Sequence, residues 1–161
     1  MTGRIFQLAT SPGGVPKLPI PEAQVAELGI VGDRQKHARF HGGPNRALCL
    51  FSLELIQKLQ GEGHPIYPGS TGENVTISGV RWDVLCAGTQ LLFGDEVIVE
   101  LTDVTDPCRQ IASSFIDRKF KRLDVPGEMR WYCRVLRQGT LRVAQPVRII
   151  GSDERVRQRI A

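Results

Sequence analysis

Residues 90–104, QLLFGDEVIVELTDV, carry the pattern that decides the fold class. Two apolar runs rich in β-branched residues, 90–93 and 97–104, flank the turn-forming pair Gly94-Asp95. A short turn containing glycine between two such runs is typical of a tight β-hairpin. We therefore expect two strands joined at Gly94-Asp95.

Similar apolar segments recur along the chain, at 4–10, 47–51, 74–77, 131–137, 140–144 and 147–150. Gln138-Gly139 separates two of them and predicts a second hairpin. With 17 glycines and 10 prolines to form turns, we expect a mainly β fold with a few helices (α+β), built around a β-barrel. The chain has no internal repeat or low-complexity linker. We therefore expect one domain at 1–150 and a short polar tail or helix at 151–161.

Two segments carry helix signals. Ser52 can cap a helix over 53–60, in which apolar residues recur at helical spacing. Asp106-Pro107 places a capping acid before a proline suited to the first helical position. We expect a structural helix after Ser52 and a second helix with Cys108 in its first turn.

The composition excludes several classes of protein. A chain of 161 residues that is 41% hydrophobic and 24% charged is typical of a globular domain. No apolar run approaches the ~18–20 residues of a membrane span. The first residues show no positive region followed by an apolar one, and the four cysteines form no C-x-x-C pair. We expect a cytoplasmic protein with reduced thiols and no membrane partner.

The net charge of +4 is unevenly distributed. Residues 1–100 carry 8 basic and 10 acidic residues, whereas residues 101–150 carry 10 basic and 5 acidic ones. This distribution argues against a nucleic-acid partner, which would need a more extended basic surface. It favours a local anion site within 101–150, with a solvated basic face as the alternative.

Cys108 is the strongest candidate for chemistry. At a helix N-terminus, free backbone N–H groups and the positive end of the dipole favour a thiolate, and Arg109 adds a cation. A thiolate can act as a nucleophile or as a ligand to a soft metal. The alternative is a small apolar core residue, which is the interpretation we favour for Cys49, Cys86 and Cys133.

The glycine-rich stretches at 29–34 and 41–43 are candidates for binding an anion. Glycine lets the backbone approach a ligand closely, and Arg34 could form bidentate contacts with phosphate. These stretches match neither a P-loop nor a dinucleotide fingerprint, and an ordinary long loop is the alternative. His37 and His41 are four residues apart, but the glycines after His41 argue against a zinc-binding helix.

Two further candidate ligand contacts follow turns in the sequence. Lys17 ends the stretch GGVPK at 13–17, and Asn74 lies in GENVT at 72–76, where a turn leads into a strand. Lys17 is a candidate phosphate contact or a surface lysine. Asn74 is a candidate for orienting a ligand or a turn cap.

Together these elements resemble the MOSC domain family, found at the C-terminus of molybdenum cofactor sulfurases and as free-standing bacterial proteins. The stretches that match are 13–17, 29–34 with 41–43, 72–76, 106–109 and 130–136. The most specific feature is GENVT about 30 residues before Pro107-Cys108. The chain departs from the family at Ala144-Gln145, where members often have Gly-Asp.

The resemblance implies a MOSC or pyruvate-kinase-barrel-like β-barrel, a molybdopterin-type molybdenum cofactor, and one cysteine that ligates molybdenum or carries sulfur. Carried over to this sequence, it makes Cys108 that cysteine. The candidate cofactor contacts are Lys17, Arg34, His41, Asn74, Arg109, Arg130 and Arg134.

Three functions remain open. The first is an oxidoreductase that reduces N-hydroxylated small molecules and, lacking flavin and iron–sulfur motifs, takes electrons from a donor protein. The second is a sulfur carrier with a persulfide on Cys108, supplied by a cysteine desulfurase partner that alone holds pyridoxal phosphate. The third is a non-catalytic barrel for another phosphorylated ligand. A Cys108 sealed in the core would exclude the first two.

Overall fold

The computed structural model describes residues 2–34 and 42–151. Within these ranges the strands β1 to β11 cover Thr2–Thr10, Leu18–Ile20, Glu22–Ala26, Gly29–Ile30, Leu48–Ser52, Val75–Ser78, Gln90–Phe93, Val97–Val104, Trp131–Arg137, Gly139–Arg142 and Pro146–Gly151. The α-helix α1 covers Leu53–Gly61, and short 3-10 helices cover Pro44–Arg46, Trp82–Val84, Arg109–Ser114, Ile116–Arg118 and Phe120–Leu123. Of the tail predicted at 151–161, residues 152–161 lie outside the described ranges.

Seven strands close into a barrel in the order β11-β7-β8-β9-β5-β6-β1, and β1 returns to β11. The first residues of β1 pair with β11, its middle residues with β6 and its last residues with β2. This nine-residue strand therefore completes the barrel and extends beyond it. The prediction of a mainly β, barrel-centred fold is confirmed.

The β7–β8 hairpin forms where the sequence predicts it. Gly94 has a φ of 60°, which favours glycine in this turn, and Phe93 pairs with Val97. Along β8, Val97, Val99 and Leu101 are buried while the intervening side chains are partly exposed. Alternate side chains of a strand point to opposite faces, so every second side chain of β8 points into the barrel. Apolar side chains from the other strands join them in one hydrophobic core.

The helix predicted after Ser52 is also confirmed, as α1. The Ser52 Oγ accepts a hydrogen bond from the Leu55 backbone nitrogen at 3.2 Å, which caps the helix. Ile56 and Leu59 are buried. Because α1 carries the chain from β5 to β6, those two strands are parallel, whereas the other barrel pairs are antiparallel.

A three-stranded sheet in the order β10-β3-β4 supplements the barrel. The hairpin predicted at Gln138-Gly139 is wrong, because β10 pairs with β3 rather than with β9. Leu141 of β10 lies opposite Ala23, and both are buried together with Val25. Burial of these apolar side chains therefore determines the partner of β10. The local turn sequence at Gln138-Gly139 does not predict this pairing.

The helix predicted at Pro107 is not an α-helix. Cys108 is extended, with φ −134° and ψ 170°, and precedes the 3-10 helix Arg109–Ser114. Phe115 is extended after it, and Asp117 has a φ of 52°, so the chain breaks into separate short turns. Serines at 113 and 114 favour turns over a helix interior. The full dipole of an α-helix is therefore not available to the Cys108 thiol.

No helix in the described ranges is both long and apolar enough to span a membrane.

Candidate functional site

One cleft brings several predicted residues together. It forms where the β1–β2 loop, the loop before β6, the loop after β8 and the start of β9 meet. The polar and sulfur-bearing residues that line it include Lys17, Cys49, Thr71, Thr105, Cys108, Arg130 and Tyr132. Two cations, several hydroxyls, two thiols and the carboxylate of Asp106 therefore line one cleft.

Cys108 is partly exposed on this cleft, so it is not sealed in the core. Cys49 also lines the cleft but is buried, and its Sγ lies 3.8 Å from Thr105 Oγ1. Burial raises the pKa of the Cys49 thiol, as it does for Cys133 deeper in the barrel. Of the two cysteines lining the cleft, Cys108 is the one a solvent-borne reactant can reach.

Lys17 reaches the cleft as half of a buried ion pair. Its Nζ lies 2.7 Å from both carboxylate oxygens of Asp33, and the two side chains are 5% and 7% exposed. The Ser11 backbone nitrogen donates to Asp33 Oδ1 at 2.9 Å. The carboxylate thus fixes the ammonium group in place and offsets its charge, a role the sequence did not assign to Asp33.

Asn74 lies directly behind this ion pair. Its side-chain nitrogen donates to Asp33 Oδ2 at 2.8 Å, and its side-chain oxygen accepts from the Cys49 backbone nitrogen at 3.0 Å. The residue is buried and does not line the cleft. Asn74 therefore orients the ion pair and joins it to β5, rather than facing a ligand directly.

Arg130 is the second cation of the cleft. It is 4% exposed, and its Nη1 donates to the Thr71 backbone carbonyl. Within the described part of the chain, its Nε has no hydrogen-bond partner. A buried charged donor without a partner is costly, because water is lost and nothing replaces it. Arg130 therefore places beside the cleft a buried donor that no described residue satisfies.

Glu73 is fully buried next to this arginine contact. Its Oε1 accepts from the Gly69 backbone nitrogen and its Oε2 from Thr71 Oγ1, both at 2.5 Å. Burial raises the pKa of Glu73, while these hydrogen bonds and the charge of Arg130 oppose the shift. The residue belongs to the GENVT stretch, but the sequence alone gave it no part in the site.

Tyr132 and Thr105 supply hydroxyl groups to the wall of the cleft. Burial is the main reason that the pKa of Tyr132 rises, to about 12. A side-chain hydrogen bond with Thr105 opposes this rise. The Arg46 guanidinium lies 4.9 Å from the centre of its ring, which adds a cation–π contact.

Three predicted arginines do not line the cleft. Arg109 follows Cys108 in the chain but is exposed. Arg34 is exposed beside a shallow groove that includes Gly42 and Gly43. Arg134 is exposed elsewhere and forms an ion pair with Glu100 at 2.6 Å.

His41, with the neighbouring His37, lies outside the described residues. Across 2–34 and 42–151, no three His, Cys, Asp or Glu side chains are grouped so that they could hold a metal ion. Cys108 alone would be an incomplete metal site. It would suit a metal that brings further ligands with it.

Comparison with known proteins gives the same family as the sequence motifs. The MOSC domain family model matches residues 37–148. The crystal structure of YiiM from Geobacillus stearothermophilus superimposes with a TM-score of 0.75 at 21% identity, covering 92% of this chain and 75% of that one. At this identity the structural match shows the shared fold.

Two sequence relatives are longer than this chain. YflK of Bacillus subtilis (strain 168) is 25% identical over 126 residues, which cover 77% of this chain and 57% of that protein. A protein named "Reductase" from Gibberella moniliformis is 29% identical over 118 residues, which cover 70% of this chain and 21% of that protein. The chain thus spans just over half of the first relative and about a fifth of the second.

Proposed function

This chain belongs to the MOSC domain family, and on that premise we propose that it is a molybdenum-cofactor oxidoreductase with Cys108 as the protein ligand to the metal. Molybdenum-cofactor binding is general for the family. We further propose that the substrates are N-hydroxylated small molecules. Their reduction to the parent amine and water consumes two electrons and two protons.

One observation carries the proposal. Arg130, whose buried Nε has no partner among the described residues, and the partly exposed Cys108 line the same cleft. An anionic group at Arg130 would satisfy a buried donor that the described residues leave without a partner. A cofactor that carries both a phosphate and a thiophilic metal therefore fits the two features at once.

When bound, the cofactor supplies a redox-active metal centre. Cys108 would provide its thiolate, and Arg130 would hold the anionic group. Lys17 offers its ammonium hydrogens while Asp33 offsets its charge. Tyr132 and Thr105, which are hydrogen-bonded to each other, would form a polar wall beside the ligand.

The proposal of a reductase activity is supported by the fungal relative named "Reductase". Most of that protein's length has no counterpart in these 161 residues. The chain itself shows no flavin or iron–sulfur motif. We therefore propose that electrons come from a separate donor protein. The substrate class rests on the family resemblance.

Metal analysis of protein purified from a host that makes the cofactor tests the proposal. We expect wild type to retain molybdenum and Cys108→Ala to lose most of it. Cys86→Ala is the matched control, because Cys86 is also partly exposed but does not line the cleft. Absence of molybdenum from wild type, or equal metal content in Cys108→Ala, contradicts the proposal.

Intact-mass analysis separates this function from the sulfur-carrier alternative. After incubation with a pyridoxal-phosphate-dependent cysteine desulfurase and cysteine, a carrier gains the mass of one sulfur atom on Cys108. The proposed reductase keeps an unmodified thiol in the cofactor-free form. A stable persulfide on Cys108 in protein that never acquires molybdenum would favour the carrier.

A further inference from the structure

We propose that Glu73 is a positioning residue that anchors Arg130, and that it sets the affinity of the cleft for an anion through this arginine while also joining its loop to the Lys17 backbone. The identification of that anion with a cofactor phosphate rests on the proposed function. The dependence of the site on Glu73 does not. Glu73 itself does not line the cleft, so it acts through its neighbours.

The first connection runs from Glu73 to Arg130. Glu73 Oε2 accepts a hydrogen bond from Thr71 Oγ1 at 2.5 Å, which fixes the orientation of residue 71. The carbonyl of the same residue accepts a hydrogen bond from Arg130 Nη1. One end of the guanidinium is therefore anchored, and Nε is left as its unpartnered buried donor.

The second connection runs from Glu73 to Lys17. Glu73 Oε1 accepts from the Gly69 backbone nitrogen at 2.5 Å, and the Gly69 carbonyl accepts from the Lys17 backbone nitrogen at 2.9 Å. Gly69 has a φ of +89°, and a Cβ there would lie 2.5 Å from the Lys17 carbonyl oxygen. Only glycine allows this close approach, so the loop at 69–73 and the Lys17 backbone form one unit.

The charges in the cleft suit a positioning role for Glu73. Lys17 already has a carboxylate partner in Asp33, at 2.7 Å. Glu73 is completely buried, and burial raises its pKa while its hydrogen bonds and the charge of Arg130 oppose the shift. Its carboxyl group accepts hydrogen bonds from Gly69 and Thr71, and so it positions the loop whose Thr71 carbonyl anchors Arg130.

The test measures binding of inorganic phosphate to the cofactor-free full chain by calorimetric titration at fixed ionic strength. We expect Glu73→Leu and Thr71→Val each to weaken phosphate binding roughly tenfold, because each frees the Arg130 anchor. Glu73→Gln can still accept from Gly69 and hydrogen-bond to Thr71. It should bind phosphate within about threefold of wild type.

Glu54→Leu is the matched control. Glu54 also accepts from a backbone N–H, that of Gly79 at 2.6 Å, and from a hydroxyl, that of Ser52 at 3.2 Å, but it does not line or adjoin the cleft. Its substitution should leave phosphate affinity unchanged. If Glu73→Leu does not fold, Thr71→Val still tests the connection to Arg130, because it removes only the hydroxyl and keeps the carbonyl.

A double-mutant cycle distinguishes positioning from a general structural effect. Glu73→Leu combined with Arg130→Met should bind phosphate no more weakly than Arg130→Met alone, because Glu73 acts through that arginine. Independent, multiplicative losses would overturn the inference. So would wild-type affinity in Glu73→Leu and Thr71→Val, or no phosphate binding by wild type. A failure of the proposed function would instead appear as missing molybdenum with the phosphate results intact.

Discussion

Replacing Asp33 by asparagine should destabilise the protein severely although it changes few atoms. Asp33 accepts four hydrogen bonds: two from Lys17 Nζ and one each from the Ser11 backbone nitrogen and the Asn74 side chain. Asparagine has one oxygen where aspartate has two. In either orientation its NH₂ group faces two of these donors, and the Lys17 ammonium remains buried without an anionic partner.

The magnitude follows from the burial of this pair. Both side chains are less than a tenth exposed, and removing one partner of a buried ion pair costs about 3–5 kcal/mol. For a chain of this size, each kcal/mol lowers the melting temperature by about 2–4 °C, so we expect a fall of roughly 6–20 °C. Asp33→Asn combined with Lys17→Met should be more stable than Asp33→Asn alone, because the double variant no longer buries an unpaired ammonium group.

Urea unfolding followed by circular dichroism and intrinsic fluorescence provides the measurement. The control is Glu22→Gln, because Glu22 pairs with Arg142 at 3.0 Å while both side chains are more than half exposed. Such a surface pair contributes at most about 1 kcal/mol. Equal effects of Asp33→Asn and Glu22→Gln would refute the reasoning, and so would a double variant less stable than Asp33→Asn.

Three further predictions concern burial and capping. The pKa of Glu73 is raised in the folded state, so its contribution to stability is present below its ordinary pKa of 4.5 and is lost as pH rises. The stability of Glu73→Gln relative to wild type should therefore increase from pH 5 to pH 8 in urea unfolding, and a constant difference would contradict this. A neutral maleimide should label Cys108 in the native protein much faster than the buried Cys49 and Cys133, whereas equal rates by peptide mass mapping would argue against the described cleft. Ser52→Ala should lower the free energy of unfolding by about 1 kcal/mol through loss of the helix cap, and an unchanged urea midpoint would show that the cap contributes nothing.

The strands that the sequence predicts well are those whose own residues alternate or form apolar runs. β7, β8 and β9 have the predicted bounds, because their apolar character is continuous and their ends carry turn residues. β2, β3 and β4 were not predicted, since they have three, five and two residues and half or more of those in β2 and β3 are partly or fully exposed. Their pairing depends on contacts with distant segments, which no local pattern encodes.

The site shows the same division between local chemistry and distant contacts. Cys108, Lys17 and Arg130 were predicted from residue type and motif, and all three line one cleft. Asp33 and Glu73 lie in stretches that the sequence singled out, but their roles come from partners brought together by the fold. Whether a charged side chain lines a site or supports one depends on burial, which these motifs do not specify.

The closure of the barrel through β1 and β11 has a consequence for how the protein folds. Thr2 pairs with Arg148, so the first residues of β1 complete the barrel only when β11 is available. Contacts this distant in the chain make folding slow, because loop-closure entropy must be lost before the pairing is gained. During synthesis, Cys108 and Arg130 are added to the chain before β11, and the barrel cannot close until β11 is present. The cleft is therefore complete only in the closed barrel, and backbone amides of β1 should exchange with solvent only when the whole barrel opens.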